Sequence, residues 1–221
     1  MKWELLTMSL VRVKPRSDEE PTPKRILTAE EFRVLLALIP EPFHTMVLIA
    51  ASLGLRVSEI LGLLWGDLDW ERLEIKIQRA IVLAKIGKVK TPKSKSVMPL
   101  DPELASLLLE YKRKTALESY PGQWLFENPL RGKPWRPSHI QSKYIRPADL
   151  KVTGEGGIGW HHFRHMFSSM LRDLGTDIKV QQELLRHADI RTTLHIYTQA
   201  ASGQRREAVG KLFRMVCPKG A

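Results

Sequence analysis

Residues 160–169 have the sequence WHHFRHMFSS, in which three histidines and one arginine fall within the five positions 161–165. Apolar residues follow at helical spacing, so the stretch predicts an amphipathic helix that carries these basic residues in its first turns. A metal site, a nucleic-acid contact and a site of phosphate chemistry are all compatible with this cluster. The remainder of the chain has to distinguish among them.

A metal site is the least favoured of the three. His161 and His165 are four residues apart and would share one helix face, as zinc-binding histidines do. The signature H-E-x-x-H fails, however, because His162 stands where it requires Glu. Arg164 would also place a permanent positive charge beside the metal. We therefore predict no metal site in this cluster, and we expect no other cofactor.

The net charge favours a polyanionic partner. The 221 residues include 35 Lys and Arg against 24 Asp and Glu, a formal net charge of +11. A soluble chain this basic most often binds nucleic acid, although a generally basic surface is the alternative. Residues 85–95, KIGKVKTPKSK, contain five lysines and no acidic residue, which concentrates the charge in one segment.

The same composition argues against a membrane protein or a secreted one. The longest apolar run, residues 46–55, is far too short to cross a bilayer, and the N-terminal residues lack the apolar core of a secretion signal. The single cysteine, Cys217, excludes an internal disulfide framework and fits a reducing compartment. We expect a cytoplasmic protein.

The hydrophobic pattern predicts a mainly α fold with a small antiparallel β-sheet (α+β). Thr28 and Glu31 form a capping box at the start of the first helix, and a nearly all-apolar helix over 43–53 ends at Gly54. Strands are expected over 73–78, 80–84 and 96–100, with a lysine-rich loop at 85–95. Further helices are expected near 101–118, 137–150, 161–174, 177–186, 191–200 and 204–216, and a flexible loop over 151–159.

Phosphate chemistry needs donors and a nucleophile from several segments. His161 and Arg164 are three residues apart on one helix and point to the same side. The guanidinium of Arg164 offers a planar fork of donors that matches phosphate oxygens. Downstream, His187 precedes Tyr197 by ten residues, and a tyrosine phenol can attack phosphorus to form a covalent intermediate. Each residue alone is a weak signal, and the combination carries the inference.

Three motifs in this order resemble the catalytic domain of the tyrosine recombinase (phage integrase) family. GLRVSEILGLLWGDLD (54–69) is similar to the box that carries the family's first catalytic arginine, here Arg56. WHHFRHMFSS resembles the family pattern H-x-x-R-H, and LLRHADIRTTLHIYTQ (184–199) resembles the motif that ends in the nucleophilic tyrosine. VKTPKSKSVMPL (89–100) looks like the hairpin that carries the catalytic lysine, and Lys90 matches best. The resemblance runs from about Lys24 to the C-terminus.

The resemblance implies an enzyme that breaks and rejoins DNA strands. Tyr197 would attack a DNA phosphate, leaving a 3′-phosphotyrosine and a free 5′-hydroxyl, without metal or ATP. The implied catalytic residues are Arg56, Lys90, His161, Arg164, His187 and Tyr197. Double-stranded DNA is the implied partner.

Other residues take supporting roles in this interpretation. Lys88, Lys93 and Lys95 would contact the DNA backbone. Glu59 would orient Arg56, with plain solvent exposure as the alternative. His162 and His165 would be structural, one hydrogen-bonding beneath the site and the other facing outward.

Two departures from the family pattern bear on function. Arg186 stands where the family has glycine, and a side chain at this position is tolerated if the backbone stays helical. Residues 1–25 resemble the end of a preceding core-binding domain, so we expect 26–221 to be the catalytic domain. A DNA-binding remnant and an enzyme that only nicks and reseals DNA, like a type IB topoisomerase, are the alternatives. The last helix, near 204–216, could mediate homo-oligomerisation on DNA or fold back on its own domain.

Overall fold

The computed structural model describes residues 25–82, 96–115 and 120–187, together with the backbone of residues 85–88. Within these ranges the chain is mainly helical, which confirms the predicted fold class. The α-helices are α1 (Ala29–Ala37), α2 (Phe43–Leu53), α3 (Val57–Ile60), α4 (Pro102–Thr115), α5 (Pro137–Ile140), α6 (Arg146–Thr153), α7 (Trp160–Asp173) and α8 (Ile178–Leu185).

The described strands are short and pair antiparallel. They are β1 (Leu68–Asp69), β2 (Glu74–Ile77), β3 (Arg79–Val82), β4 (Lys85–Lys88), β5 (Ser96–Pro99), β6 (Glu127–Asn128) and β7 (Lys133–Pro134). The order β1-β2-β5 forms one sheet, in which Ile75 of β2 lies opposite Met98 of β5. The pairs β3–β4 and β6–β7 form two separate hairpins.

Local sequence signals explain the ends of the first two helices. The hydroxyl of Thr28 accepts a hydrogen bond from the backbone N–H of Glu31 at 3.1 Å, and the carboxylate of Glu31 accepts one from the N–H of Thr28 at 2.9 Å. This is the predicted capping box. Helix α2 ends at Gly54, whose φ of 59° lies in the left-handed region. Both predictions are confirmed.

The structure corrects two boundaries. The segment predicted as a lysine-rich loop begins with β4, because residues 85–88 pair with β3. The loop predicted over 151–159 begins three residues late, because α6 continues to Thr153 and ends at Gly154 with φ 79°. The expected helix near 137–150 is continuous from α5 to α6 through a π-helical turn at Gln141–Ile145.

One hydrophobic core joins the helices to the sheet. Helix α2 packs along α7, α1 packs against α6, and α7 packs against α8. Fully buried side chains from several elements meet there, among them Leu35, Met46, Ile60, Ile75 and Phe163. Burial of this apolar surface fixes the ends of α2, α7 and α8 relative to one another.

Several predictions lie outside the described residues. They concern the helices near 191–200 and 204–216 and residues 1–24. None of the helices in the described part has the length and apolar character to cross a membrane.

Candidate active site

Arg56 lies at the N-terminus of α3 and is held there by Glu59. One carboxylate oxygen of Glu59 accepts a hydrogen bond from the backbone N–H of Arg56 at 2.8 Å, and the other binds its guanidinium at 2.9 Å. The side chain of Glu59 is 3% exposed, whereas that of Arg56 is 36% exposed. Glu59 therefore orients Arg56 from the buried side, as predicted, and part of the Arg56 guanidinium remains open to solvent.

Gly54 sets the approach of this segment to α7. A Cβ added to Gly54 would lie 2.5 Å from the ring atom Cδ1 of Phe167, and its positive φ already disfavours any side chain. The chain thus turns sharply out of α2 and passes directly over α7. This close approach brings the main chain next to Arg56 within reach of Arg164.

Arg164 connects the three segments of the site. It is buried on α7, and its guanidinium donates hydrogen bonds to the carbonyl of Gly54 and to the carbonyl of Leu185. These two carbonyls precede Arg56 by two residues and His187 by two residues. A single side chain therefore fixes the first and third motifs relative to the second.

The charge of Arg164 is not cancelled by a direct carboxylate contact within the described residues. Burial, together with the neighbouring charges of Arg56 and Arg186, lowers the pKa of Arg164 to about 9. Arg164 is still a cation at neutral pH. Its positive charge lies in a poorly solvated position, where it would interact strongly with an anion.

The condition stated for a side chain at position 186, a helical backbone, is not met, because α8 ends at Leu185. Arg186 has φ 52° and ψ 40°, in the left-handed region. Its N–H donates to the carbonyl of Glu183 at 2.9 Å, and the N–H of His187 donates to that of Gln182 at 3.1 Å. This is a Schellman motif, in which glycine is usual at the position that Arg186 occupies. The left-handed backbone gives a physical reason for the glycine of the family pattern.

The side chain of Arg186 turns inward to the first motif. It is 2% exposed, and its guanidinium binds Glu59 at 2.7 Å. Burial raises the pKa of Glu59, but the charges of Arg186 and Arg56 together with the hydrogen bonds from Arg56 outweigh this effect and hold the pKa below its usual value. In the sequence, Arg186 stands out only as a departure from the family pattern, and its partner, 127 residues away, could not be inferred from spacing.

His187 lies beside this group of cations. Burial lowers its pKa to about 4, and the charges of Arg164, Arg56, Arg186 and His165 act in the same direction. The imidazole is therefore neutral at neutral pH. Gln182 fixes the backbone of this residue by donating from its amide to the His187 carbonyl at 3.2 Å.

The three histidines of the second motif separate into two kinds. His162 is half-buried, and its Nδ1 accepts a hydrogen bond from the N–H of Gly159 at 3.0 Å, which secures the start of α7. His161 and His165 are exposed, with their ring centroids 6.3 Å apart. His162 and His165 thus match the two predicted structural positions, one hydrogen-bonded at the start of α7 and the other facing outward. A positive charge on His165 also contributes to the lowered pKa of His187.

The guanidinium groups of Arg56, Arg164 and Arg186 surround the carboxylate of Glu59. These four side chains form an arginine centre with two net positive charges. An oxyanion is the natural ligand of such a centre. Within the described ranges, no group of three or more His, Cys, Asp and Glu residues is placed to hold a metal ion.

The structure places four of the six predicted catalytic residues. Arg56, Arg164 and His187 come together, and His161 lies on the exposed side of α7 one turn before Arg164. Lys90, Lys93, Lys95 and Tyr197 lie outside the described residues, and only the backbone of Lys88, the last residue of β4, is described.

This fold is the fold of tyrosine recombinase catalytic domains. The structure matches that of the Tn1549 transposon integrase in complex with transposon right end DNA, with a TM-score of 0.74 over 88% of this chain and 68% of that chain, at 21% identity. It also matches the crystal structure of XerA recombinase, with a TM-score of 0.65 over 95% of this chain and 70% of that chain, at 22% identity.

The sequence defines the family. The model of the phage integrase family matches residues 25–204, and the chain belongs to this family. It is 30% identical to the tyrosine recombinase XerA of Pyrococcus furiosus, over 94% of this chain and 68% of that protein. It is 28% identical to a XerC-like tyrosine recombinase of Caldanaerobacter subterraneus subsp. tengcongensis, over 90% of this chain. The chain spans 57% of the length of that relative.

Proposed function

We propose that residues 26–221 form the catalytic domain of a site-specific DNA recombinase or integrase. The observation that carries this proposal is the contact of Arg164 with the carbonyls of Gly54 and Leu185. Through it, Arg56 and His187 surround one buried cation, although they come from segments more than a hundred residues apart in the sequence. The arrangement suits a phosphodiester, whose two non-bridging oxygens need cationic donors from two sides.

The proposed reaction conserves the energy of the broken bond. The phenolic oxygen of Tyr197 attacks the phosphorus, the bond from phosphorus to the 5′-oxygen breaks, and a 3′-phosphotyrosine forms. Attack by a 5′-hydroxyl on this intermediate reverses the step and releases the tyrosine. Because the 3′-phosphotyrosine is itself a phosphodiester and conserves the energy of the broken bond, neither ATP nor a metal ion is needed.

Each catalytic residue then has a distinct task. Arg56 and Arg164 bind the non-bridging oxygens and stabilise the charge that develops on them. Lys90 acts as the general acid that protonates the leaving 5′-oxygen. His161 and His187 hydrogen-bond the phosphate and assist the proton transfer from Tyr197. The low pKa of His187 in the free protein makes it a weak base until a phosphate offsets the surrounding positive charge.

Double-stranded DNA is the proposed substrate. The net charge of +11 and the run of lysines over 85–95 support it, with Lys88, Lys93 and Lys95 contacting the phosphate backbone. Such contacts release counterions, so binding should weaken steeply with salt. Replacing these three lysines by alanine should reduce the slope of log K against log salt by about three on this accounting.

Covalent trapping tests the proposed chemistry. The protein is incubated with a nicked duplex that loses its 5′-hydroxyl fragment after cleavage, in EDTA and without nucleotide. A protein–DNA adduct that survives denaturation and disappears in Tyr197→Phe supports the proposal. Salt-sensitive binding without any adduct on a panel of duplexes contradicts it and favours a DNA-binding remnant.

A second experiment separates recombination from simple nicking and resealing. Relaxation of a supercoiled plasmid without exchange between two duplexes would favour an activity like that of a type IB topoisomerase. Exchange requires protomers to meet on DNA, for which we propose the segment 204–216. Its apolar positions Val209, Leu212, Phe213 and Val216 are spaced to share one helix face. Deleting this segment should abolish exchange and leave cleavage of a suicide duplex intact.

A further inference from the structure

We propose that Arg186 is a positioning residue of the active site: through Glu59 it fixes the guanidinium of Arg56 against the scissile phosphate. The proposal rests on the proposed function, since it assigns Arg186 a part in DNA cleavage. It goes beyond the family pattern, which has glycine at this position, and beyond the six catalytic residues inferred from the motifs.

The two arginines share one carboxylate and divide its oxygens. Arg56 donates from its guanidinium to Oε1 of Glu59 at 2.9 Å, and Arg186 donates to Oε2 at 2.7 Å. Oε2 also accepts the backbone N–H of Arg56 at 2.8 Å. Glu59 cannot rotate toward either arginine without losing a bond to the other, so the carboxylate that orients Arg56 is itself held by Arg186.

The burial of these groups shows which arginine is the support. Arg186 is 2% exposed and Glu59 is 3% exposed, whereas Arg56 is 36% exposed. A buried carboxylate needs a buried, hydrogen-bonded partner, because it has lost its hydration. Arg186 provides that partner. Arg56 is then not required to turn inward to neutralise Glu59 and keeps part of its guanidinium facing outward, where a phosphate would bind.

The left-handed backbone conformation of Arg186 argues against an incidental presence of arginine at this position. A residue with a Cβ is disfavoured at φ 52°, where glycine is the usual choice. The inward-facing side chain also contacts the sulfur of Met98 on β5, and its Nε has no hydrogen-bond partner among the described residues. The chain thus retains an unfavourable backbone and an incompletely satisfied cation here, a combination that points to a role at a functional site.

Arg186 also connects two parts of the proposed catalytic machinery. It directly precedes His187 and stands eleven residues before Tyr197. Its ion pair with Glu59 therefore ties the segment that leads to the nucleophile to the segment that carries Arg56. Its positive charge raises the local potential at His187, which Arg164, Arg56 and His165 also face.

The test compares Arg186→Gly with Arg186→Lys in the full chain. Glycine relieves the left-handed backbone, so this variant should fold, but it removes the partner of Glu59. Lysine keeps a charge that can reach Glu59 and should restore part of the function. Arg79→Met is the matched control, since it removes the partner of another buried carboxylate, Asp67, which pairs with none of the three arginines of the centre.

Two measurements are made on each variant. The first is the single-turnover rate of covalent adduct formation on a suicide duplex at saturating DNA, normalised to folded protein, with the dissociation constant measured in parallel. The second, which needs no DNA cleavage, is ¹⁵N relaxation of the Arg56 guanidinium, assigned with Arg56→Lys. For Arg186→Gly we expect the cleavage rate to fall by about ten- to a hundredfold with little change in DNA affinity, because the guanidinium of Arg56 is displaced from the scissile phosphate. Arg56 should become more mobile, and Arg186→Lys should recover part of both.

The outcomes are decisive in each direction. If Arg186→Gly cleaves at the wild-type rate, or if Arg56 is equally ordered in it, the proposal is wrong. If Arg79→Met slows cleavage as much as Arg186→Gly does, loss of any buried ion pair explains the effect and the positioning role is refuted. If the wild-type protein forms no adduct, the proposed function fails, and the relaxation of Arg56 still decides whether Arg186 positions it.

Discussion

The guanidinium of Arg164 donates a hydrogen bond to the carbonyl of Gly54, although 110 residues separate them in the sequence. A second donor of the same group binds the carbonyl of Leu185. The planar fork of an arginine reaches both acceptors at once, which a single ammonium cannot do with the same geometry. The family's second arginine is therefore a structural cross-link in this chain as well as a proposed phosphate ligand.

Arg164→Lys should separate the charge of this residue from its geometry. We expect the free energy of unfolding to fall by about 1–3 kcal/mol, since at least one buried carbonyl loses its partner. Adduct formation should fall by more than this loss of stability explains. Urea unfolding and single-turnover cleavage check the two effects. Arg33→Lys on α1, where an exposed arginine pairs with the exposed Glu30, is the control and should change little. Equal cleavage by Arg164→Lys and the wild type would contradict the geometric role.

Much of the scaffold could be predicted from local signals. The capping box at Thr28 and the left-handed stop at Gly54 each depend on residues within one turn of one another. Such signals are legible in the sequence because the backbone groups that they satisfy are also local. The order of the three motifs likewise identified Arg56, Arg164 and His187 as members of one site.

The remaining features depend on contacts that spacing does not encode. The lysine-rich, glycine-containing sequence of β4 predicts a loop, whereas pairing with β3 decides its conformation. The left-handed backbone of Arg186 follows from the Schellman turn, while its inward direction follows from Glu59, which lies 127 residues earlier. A charged residue in place of glycine was visible in the sequence, but its partner was not.

Gly54→Ala should be more destabilising than an equivalent change at another helix end. Both Gly54 and Gly154 have positive φ, but a Cβ at Gly54 would overlap the ring of Phe167, whereas one at Gly154 meets nothing within 4 Å. Gly154→Ala should therefore lower the free energy of unfolding by about 1–2 kcal/mol through its backbone alone. Gly54→Ala should exceed this by roughly another 1–3 kcal/mol from overpacking.

Gly54→Ala should also slow cleavage more than Gly154→Ala does, because the displaced Gly54 carbonyl is an acceptor of Arg164. Urea unfolding and adduct formation on both variants provide the comparison. Equal losses of stability in the two variants would show that the Phe167 contact adds nothing to the cost of the left-handed backbone.

Glu59→Gln should leave the arginine centre without its only compensating carboxylate among the described residues. Removal of one partner from a buried ion pair typically costs about 3–5 kcal/mol, and three guanidinium groups would then repel one another. The exposed carboxylate of Glu183, 3.9 Å from Lys179, is the control. Glu183→Gln should change the free energy of unfolding by less than about 1 kcal/mol.

The stability contributed by Glu59 should depend on pH in a defined direction. Its pKa in the folded protein is below the ordinary value of 4.5, so the unfolded state binds the proton more readily. The contribution is complete above pH 4.5 and is lost as the pH falls toward the folded pKa. The difference between the wild type and Glu59→Gln, measured by urea unfolding, should therefore shrink below pH 4.5. A difference that is constant down to pH 3 would contradict the ionised state of Glu59.

His187 should report the binding of a phosphate through its own titration. In the free protein its pKa is about 4, because burial and the positive charges of Arg164, Arg56, Arg186 and His165 disfavour the imidazolium. A DNA phosphate bound among these cations would offset their charge, so the pKa should rise on DNA binding. NMR titration of the His187 ring, assigned with His187→Gln, measures this shift. We expect a low pKa in the free full chain and a higher pKa in the Tyr197→Phe variant bound to a duplex, which this variant should not cleave.

The same shift fixes how His187 affects stability. Its folded pKa lies below the unfolded value of 6.5, so between the two values the unfolded state binds more protons. Stability is therefore lost as the pH falls from about 6.5 toward 4, and His187→Gln should flatten this part of the profile. Bound DNA should flatten it as well, because it raises the folded pKa toward 6.5. A free-protein pKa near 6.5, or one that DNA leaves unchanged, would show that His187 does not face the phosphate.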